Sequence, residues 1–283
     1  MMADKRTHPI LERDAATRPS RYSRHPWRLV ECLETGLVYL DNPPSYRDLK
    51  EEFAWEKTHA QETVRRSRED PIIATASAII TKARRPDRGV PKVEREALRF
   101  LCNRQAQPLK LLDVGCASGL KASSITRKMR EQHGSEVVPI GIEISNALAL
   151  EAHARFSEFG GYAIHAPAIE GLQQIDQASI DLIILSSYLE HEIRPLEALR
   201  CCAATLAPQG RIIIKVPNFA SLNRRLRGRR WCGFRYPDHV NYFSPATLKL
   251  LVRHAGLSVA RMNLFDRFPT NDNMWLLASH PTT

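Results

Sequence analysis

The sequence predicts an α/β fold, a mostly parallel sheet with helices on both faces, and three observations carry that expectation. From Pro91 onward, apolar strands alternate with amphipathic helices through five strands. The stretch Asp181 to Leu185, DLIIL, is unbroken in its apolar part, as suits a strand buried on both sides. Leu111 to Gly119, LLDVGCASG, sets two glycines four apart where such a strand would turn into a helix.

Taken in order, the periodicity predicts a helix over 93–104, a strand over 110–114 and a helix over 120–132. A strand over 137–142, a helix over 146–159 and a short strand over 162–165 follow, then the DLIIL strand over 180–186. Proline favours the first turn of a helix and glycine its end, so Pro195 is expected to open a helix closing near Pro208-Gln209-Gly210. The run RIIIKV over 211–216 is then the fifth strand. Before Pro91 the chain is basic and broken by prolines, so residues 1–90 read as an irregular N-terminal extension and 91–283 as the main domain. Within the extension, 36–40 (GLVYL) looks like a strand closed by Asn42-Pro43-Pro44, 46–59 like a charged helix and 72–82 like a more apolar one.

With 283 residues, 43% of them apolar and 25% charged, the chain can bury a core without staples. No apolar run reaches membrane-spanning length and the opening lacks the apolar core of a secretory signal, so a cytoplasmic protein is expected. Its six cysteines include no C-x-x-C pair, and no metal site is expected. Lysine and arginine number 41 against 31 aspartates and glutamates, a net charge of +10 that favours anionic partners. Part of that excess is a run of five arginines, at 224, 225, 227, 229 and 230.

Ligands of parallel α/β sheets bind at the carboxyl ends of the strands, where the informative residues fall. A dinucleotide fingerprint would need glycine at 115, 117 and 120, but Ala117 and Leu120 stand at the last two, so NAD is the weaker reading. Glu143 closes the strand VVPIGIE, thirty positions after Asp113, where a carboxylate can accept both hydroxyls of a ribose. Asp113 closes the preceding strand and is a candidate partner for a cationic amino group.

These motifs, with DLIILSSYLEH over 181–191, LAPQGRIIIKVPN over 206–218 and GRRWCGFRYPDHVNYFSPATLKLLVRHAGL over 228–257, resemble the class I S-adenosylmethionine-dependent methyltransferases. The closing stretch looks like that of a subgroup acting on sugars, lipids or their conjugates. The resemblance covers about residues 91 to 265. It implies a Rossmann-like sheet of seven strands, the last two at 257–265 and 273–280. S-adenosylmethionine is then the cofactor, with Asp113, Gly115, Ala117 and Gly119 at its methionine, Glu143 at its ribose and Ile144 along its adenine. Ser186 would lie beside the methionine. Many members carry an acid after the third strand for the adenine amine; Pro167 stands there, leaving that role to backbone groups near Ile169 or to Glu170. The leader VECLETGLVYLDNPP, 30–44, is similar to one that carries paired cysteines, but Thr35 replaces the second, so no zinc site is implied.

A sulfonium methyl needs an aligned nucleophile and, for a hydroxyl or acidic carbon, a base. His239 and His191 are the candidate bases, although His191 in Glu190-His191 is equally a loop-fixing residue. The segment 217–245 is the expected substrate cap. Its arginines and aromatics either stack on a ring and neutralise a phosphate, with Trp231 and Tyr236 in contact, or form a satellite core. Three functions remain open: a methyltransferase for a small or lipid- or sugar-linked, anionic acceptor; an RNA or DNA methyltransferase; and a non-catalytic partner protein of the same fold.

Overall fold

The computed structural model describes residues 6–44, 90–104 and 108–281. The helices expected over 46–59 and 72–82 lie outside them. In chain order the elements are β1 (Thr17–Pro19), β2 (Leu29–Cys32), β3 (Val38–Leu40), α1 (Lys92–Leu101), β4 (Leu109–Val114) and α2 (Leu120–His133). Next come β5 (Val137–Glu143), α3 (Asn146–Ser157), β6 (Tyr162–His165), α4 (Ala168–Leu172), β7 (Ile180–Ser186), α5 (Pro195–Thr205) and β8 (Leu206–Pro217). The chain then forms α6 (Leu222–Arg227), β9 (Asn241–Tyr242), α7 (Pro245–His254), β10 (Ser258–Arg261) and β11 (Asn273–Ser279).

Seven strands form one sheet in the order β10-β11-β8-β7-β4-β5-β6. Pairing is parallel from β6 through to β8, and β11 runs antiparallel to both its neighbours. The interior strands are apolar on both faces because helices cover both. Leu112, Val114, Ile183, Leu185, Ile212 and Ile214 pack with α5 and α7 residues such as Leu199 and Leu251. The alternate residues Leu109, Leu111, Leu182, Ile184 and Ile213 pack with Ala97, Ile125 and Phe156 of α1, α2 and α3.

The helices expected over 93–104 and 146–159 end earlier, at Leu101 and Ser157, and the strand expected over 257–265 spans Ser258–Arg261; the end of α5 differs more. The helix opened by Pro195 ends at Thr205, and Pro208-Gln209-Gly210 lies inside β8. Buried Leu206 already pairs with Ile180, and the next pairing is Leu182 with Arg211, so the residues between bulge out of the ladder. Tertiary pairing has overridden a local helix-stop signal.

A second sheet, of four strands, has the order β1-β2-β3-β9. Its first three strands come from the N-terminal extension and the last from the expected cap, with Val38 opposite Tyr242 and Tyr39 opposite Asn241. Ile10, Leu37 and Tyr39 join the same core as Leu196 and Phe243 of the main domain. Extension and cap are therefore one packed layer above the sheet's carboxyl edge.

Gly119 begins α2 in the left-handed region, φ 79°. A Cβ there would sit 2.8 Å from Phe156 Cε1 and 3.0 Å from the Ala152 Cα, so this glycine lets α2 and α3 approach each other. Gly119→Ala should destabilise the fold by about 1–3 kcal/mol, from overpacking and backbone strain together. A thermal unfolding midpoint equal to that of the parent protein would refute this account of the residue.

Candidate active site

The chain order of the main sheet reverses at β4: β5 and β6 follow on one side, β7 and β8 on the other. Diverging connections leave a crevice there, at the carboxyl ends. A cavity of about 750 Å³ occupies it. Its floor is the β4–α2 turn from Gly115 to Ser118, and its walls are Glu143 and Ile144 after β5, Ala166 to Ala168 after β6 and Ser186 to Tyr188 after β7. Glu190 and His191 of the loop after β7, with Cys232, Gly233, Arg235, Asp238 and His239 of the segment expected as a cap, complete the lining.

The turn is left-handed at Gly115 (φ 69°), Ala117 (φ 48°) and Gly119. Its shape is held from β5: Gly115 and Cys116 donate backbone N–H bonds to the Ile142 carbonyl at 2.9 and 3.2 Å. Glu143 completes the brace, its Oε2 accepting from Ala117 N and its Oε1 from Ser145 N, both at 2.9 Å. The same side chain lines the cavity while it holds the turn. Ile144, Leu148, Pro167 and Ala168 beside it give an apolar slot for a flat ring.

Asp113 lies wholly inside, and both its oxygens accept from Lys121 Nζ at 3.1 and 3.2 Å. Burial raises its carboxyl above the usual range, against the pull of Lys121. Lys121, which the sequence reading passed over, lines the cavity while Asp113 does not. Gly119, Ile169 and Glu170 likewise stand outside the cavity wall. Ile169 is buried and Glu170 faces away into solvent.

Trp231 and Tyr236 belong to an aromatic cluster with Tyr22, Phe219, Phe234 and Tyr242. The Trp231 Nε1 donates to Asp272 Oδ1 at 2.7 Å and the Tyr236 hydroxyl to the Tyr22 carbonyl at 2.7 Å. Neither lines the cavity, because their polar ends are engaged in the wall behind it. The satellite-core alternative describes what these two do.

His191 and His239 do meet at the cavity, their rings edge-on with centroids 4.7 Å apart. His239 Nδ1 lies 2.8 Å from the Gly233 carbonyl, which as an acceptor fixes the proton on Nδ1 and makes Nε2 the lone-pair nitrogen. Glu190 joins them: among the described residues these three form a group whose ligand atoms lie within 4.8 Å of one another, able to share a proton or hold a cation. Glu190 Oε2 is buried with no hydrogen-bond partner among the described residues. Adjacency to His191 in the chain was its one sequence signal.

What fixes this cluster comes partly from its own loop and partly from far along the chain. Glu192 accepts from the Tyr188 hydroxyl and from Arg194 N, Asn241 Nδ2 donates to the Leu189 and Glu192 carbonyls, and the Arg6 guanidinium reaches the carbonyls of Ile193 and Val240. Residue 6 thereby ties the loop after β7 to the cap.

The methyltransferase domain family matches the chain over residues 87–261. The chain belongs to that family. The ubiquinone biosynthesis O-methyltransferase of Vibrio campbellii is 24% identical over 175 residues, which cover 58% of this chain and 70% of that protein. Its Xylella fastidiosa counterpart is 29% identical over 154 residues, 52% of this chain, and the match spans 60% of that protein's length. Among solved structures, the cyclase SpnF shares the fold at a TM-score of 0.50 and 15% identity, over 68% of this chain and 82% of its own. The chain is thus an S-adenosylmethionine-dependent methyltransferase, and the non-catalytic alternative falls away. No helix among the described residues is long and apolar enough to cross a membrane.

The cluster gives stability a pH signature. Burial pushes the Glu190 carboxyl from 4.5 up to about 7, despite Lys215 and Arg235 nearby, and Glu192 to about 7 as well. A raised folded-state pKa means that the native state binds the proton more tightly, so this stability is present below pH 4.5 and lost as pH rises through about 7. His191, pushed by burial from 6.5 to about 3, acts in the opposite sense, its contribution being lost as pH falls through that window. Glu190→Gln should remove one descending contribution: the thermal midpoint of the parent minus that of the variant is expected to fall as pH rises from 4.5 to about 7. A difference independent of pH would contradict this.

Proposed function

We propose that the chain methylates a hydroxyl of a small acceptor held beneath the cap, using S-adenosylmethionine seated over the β4–α2 turn. The observation that carries this reading is the single cavity joining Glu143 to the Glu190–His191–His239 group. Its volume, about 750 Å³, is within the range of sites that take a cofactor with a small partner. The O-methyltransferase names of the curated relatives support an oxygen acceptor.

In this reading Glu143 binds the ribose hydroxyls, Ile144 and Pro167 flank the adenine, and Gly115 and Ala117 give backbone contact to the methionine end. Ser186 sits beside that end, and Asp113 acts on it through Lys121. When bound, the cofactor supplies a sulfonium whose methyl group is already electrophilic. The protein's task is then alignment and removal of one proton. His239 Nε2 is the base, since its Nδ1 proton is committed to Gly233; Glu190 stabilises the imidazolium that results. His191 is held neutral by burial, so it serves as a wall and hydrogen-bonding group and not as the base.

Calorimetric titration with S-adenosylmethionine tests the cofactor half. Glu143→Ala is expected to cost about 1.5–3 kcal/mol, roughly ten- to a hundredfold in Kd, as for hydrogen bonds to a charged group. An unchanged affinity would overturn the ribose assignment. For the acceptor half, incubation with 3,4-dihydroxybenzoate and with fractionated small-molecule extracts should yield a product heavier by one methyl group. On that acceptor, His239→Asn should lower kcat by about 10²–10⁴-fold while cofactor affinity holds; full turnover by the variant would remove His239 from the chemistry.

A further inference from the structure

Two segments that run into the cavity wall expose apolar side chains that no fold requirement explains. On α6, Leu222 and Leu226 are four apart and share a helix face, and Leu226 is 85% exposed. On the 3-10 turn Phe265–Arg267 and its flanks, Leu264, Phe265 and Phe268 are exposed, Phe265 to 78%. The two segments touch: Leu222 N donates to the Pro269 carbonyl at 2.8 Å and Asn223 Nδ2 to that of Thr270 at 2.9 Å. Each runs directly into the cavity wall, the first at Cys232 and Gly233, the second at Asp272 and Asn273. Trp231 and Asp272, bonded at 2.7 Å, lock them together there.

Cations border this apolar edge. Arg225, Arg227 and Arg267 form no ion pair among the described residues, and the neighbouring acid Asp266 is buried and engaged with Lys92 and Arg261. Exposed leucine and phenylalanine beside unneutralised arginine match the interface of an anionic bilayer, where rings and aliphatic chains enter the acyl boundary and guanidinium groups meet lipid phosphate. A nucleic-acid backbone would use the arginines but leave the apolar side chains without a partner.

We infer that the edge formed by Leu222, Leu226, Phe265 and Phe268, with Arg225 and Arg227, docks the protein on an anionic lipid surface, with the mouth of its cavity at the membrane. The inference goes beyond the proposed methyl transfer and does not depend on it. Docking of this kind is peripheral and reversible, resting on a few side chains and a local charge, so it should weaken as salt rises.

The full-length protein is to be sedimented with vesicles of phosphatidylcholine alone and of equimolar phosphatidylcholine and phosphatidylglycerol. Strong partition onto the second and little onto the first is expected. With each basic residue contributing about fivefold near such a surface, Arg225→Gln/Arg227→Gln should lower partition by roughly twenty-five-fold. Leu226→Asp/Phe265→Asp should abolish it. Calorimetry with S-adenosylmethionine on the same proteins reports their fold; Leu226→Gln/Phe268→Gln repeats the test should the aspartate variant lose cofactor binding. Equal partition onto both vesicle types, or none, overturns the inference. Binding to a duplex oligonucleotide in place of vesicles overturns it too, as does self-association that the same variants dissolve. Vesicle binding without S-adenosylmethionine binding would leave the docking surface standing and remove the methyltransferase reading.

Discussion

The site depends on one brace: the Glu143 carboxylate at the end of β5 accepting the backbone N–H groups of Ala117 and Ser145. A turn with three residues in left-handed backbone, one of them alanine, is costly by itself. It persists because β5 over-determines it, through the Ile142 carbonyl and the Glu143 oxygens. In the proposed function the same carboxylate receives the sugar hydroxyls, so that rigidity of the floor and recognition of the ligand rest on a single side chain.

Opposite that floor, a buried polar network shapes the roof. The loop after β7 holds Glu190 and Glu192 out of water and His191 half-buried beside them, an arrangement unfavourable for ionised groups unless each polar atom finds a partner. Glu192 finds Tyr188 and the Arg194 amide, and Asn241 satisfies two carbonyls of the loop. Arg6 closes the network from the other end of the chain. Glu190 is the exception: its Oε2 has no hydrogen-bond partner among the described residues, and the side chain lines the cavity with His191 and Glu192. A buried polar atom left without a partner in such a network calls for an explanation, which the proposed acceptor would supply.

Much of the sheet was legible before any coordinates, for a specific reason. Strands buried on both faces are predominantly apolar, so β7 is visible as IDLIILS and β5 as VVPIGIE, and β6 and β7 have the predicted bounds. The exit of α5 was misjudged because Pro208 and Gly210 are punctuation for a helix and equally for a bulge, and the choice was made by the pairing of Leu206 with Ile180. Of the residues that line the cavity, Glu143 and the glycine turn were legible because strand-end position dictates direction. Trp231 and Tyr236 were not, since composition gives an aromatic side chain no address; packing turned both into the wall.

By itself, then, the sequence determined the parallel α/β sheet, the glycine turn at β4, the carboxylate thirty positions on and the choice of a nucleoside other than NAD. Those properties are local: each follows from the period of a segment or the residue at a strand's end. Tertiary structure alone decided that β3 pairs with β9, that Arg6 reaches the loop after β7, and that Glu190 sits with His191 and His239. Such contacts join residues some fifty to more than two hundred positions apart, and no local pattern encodes which partners meet until the hydrophobic faces have been buried against one another.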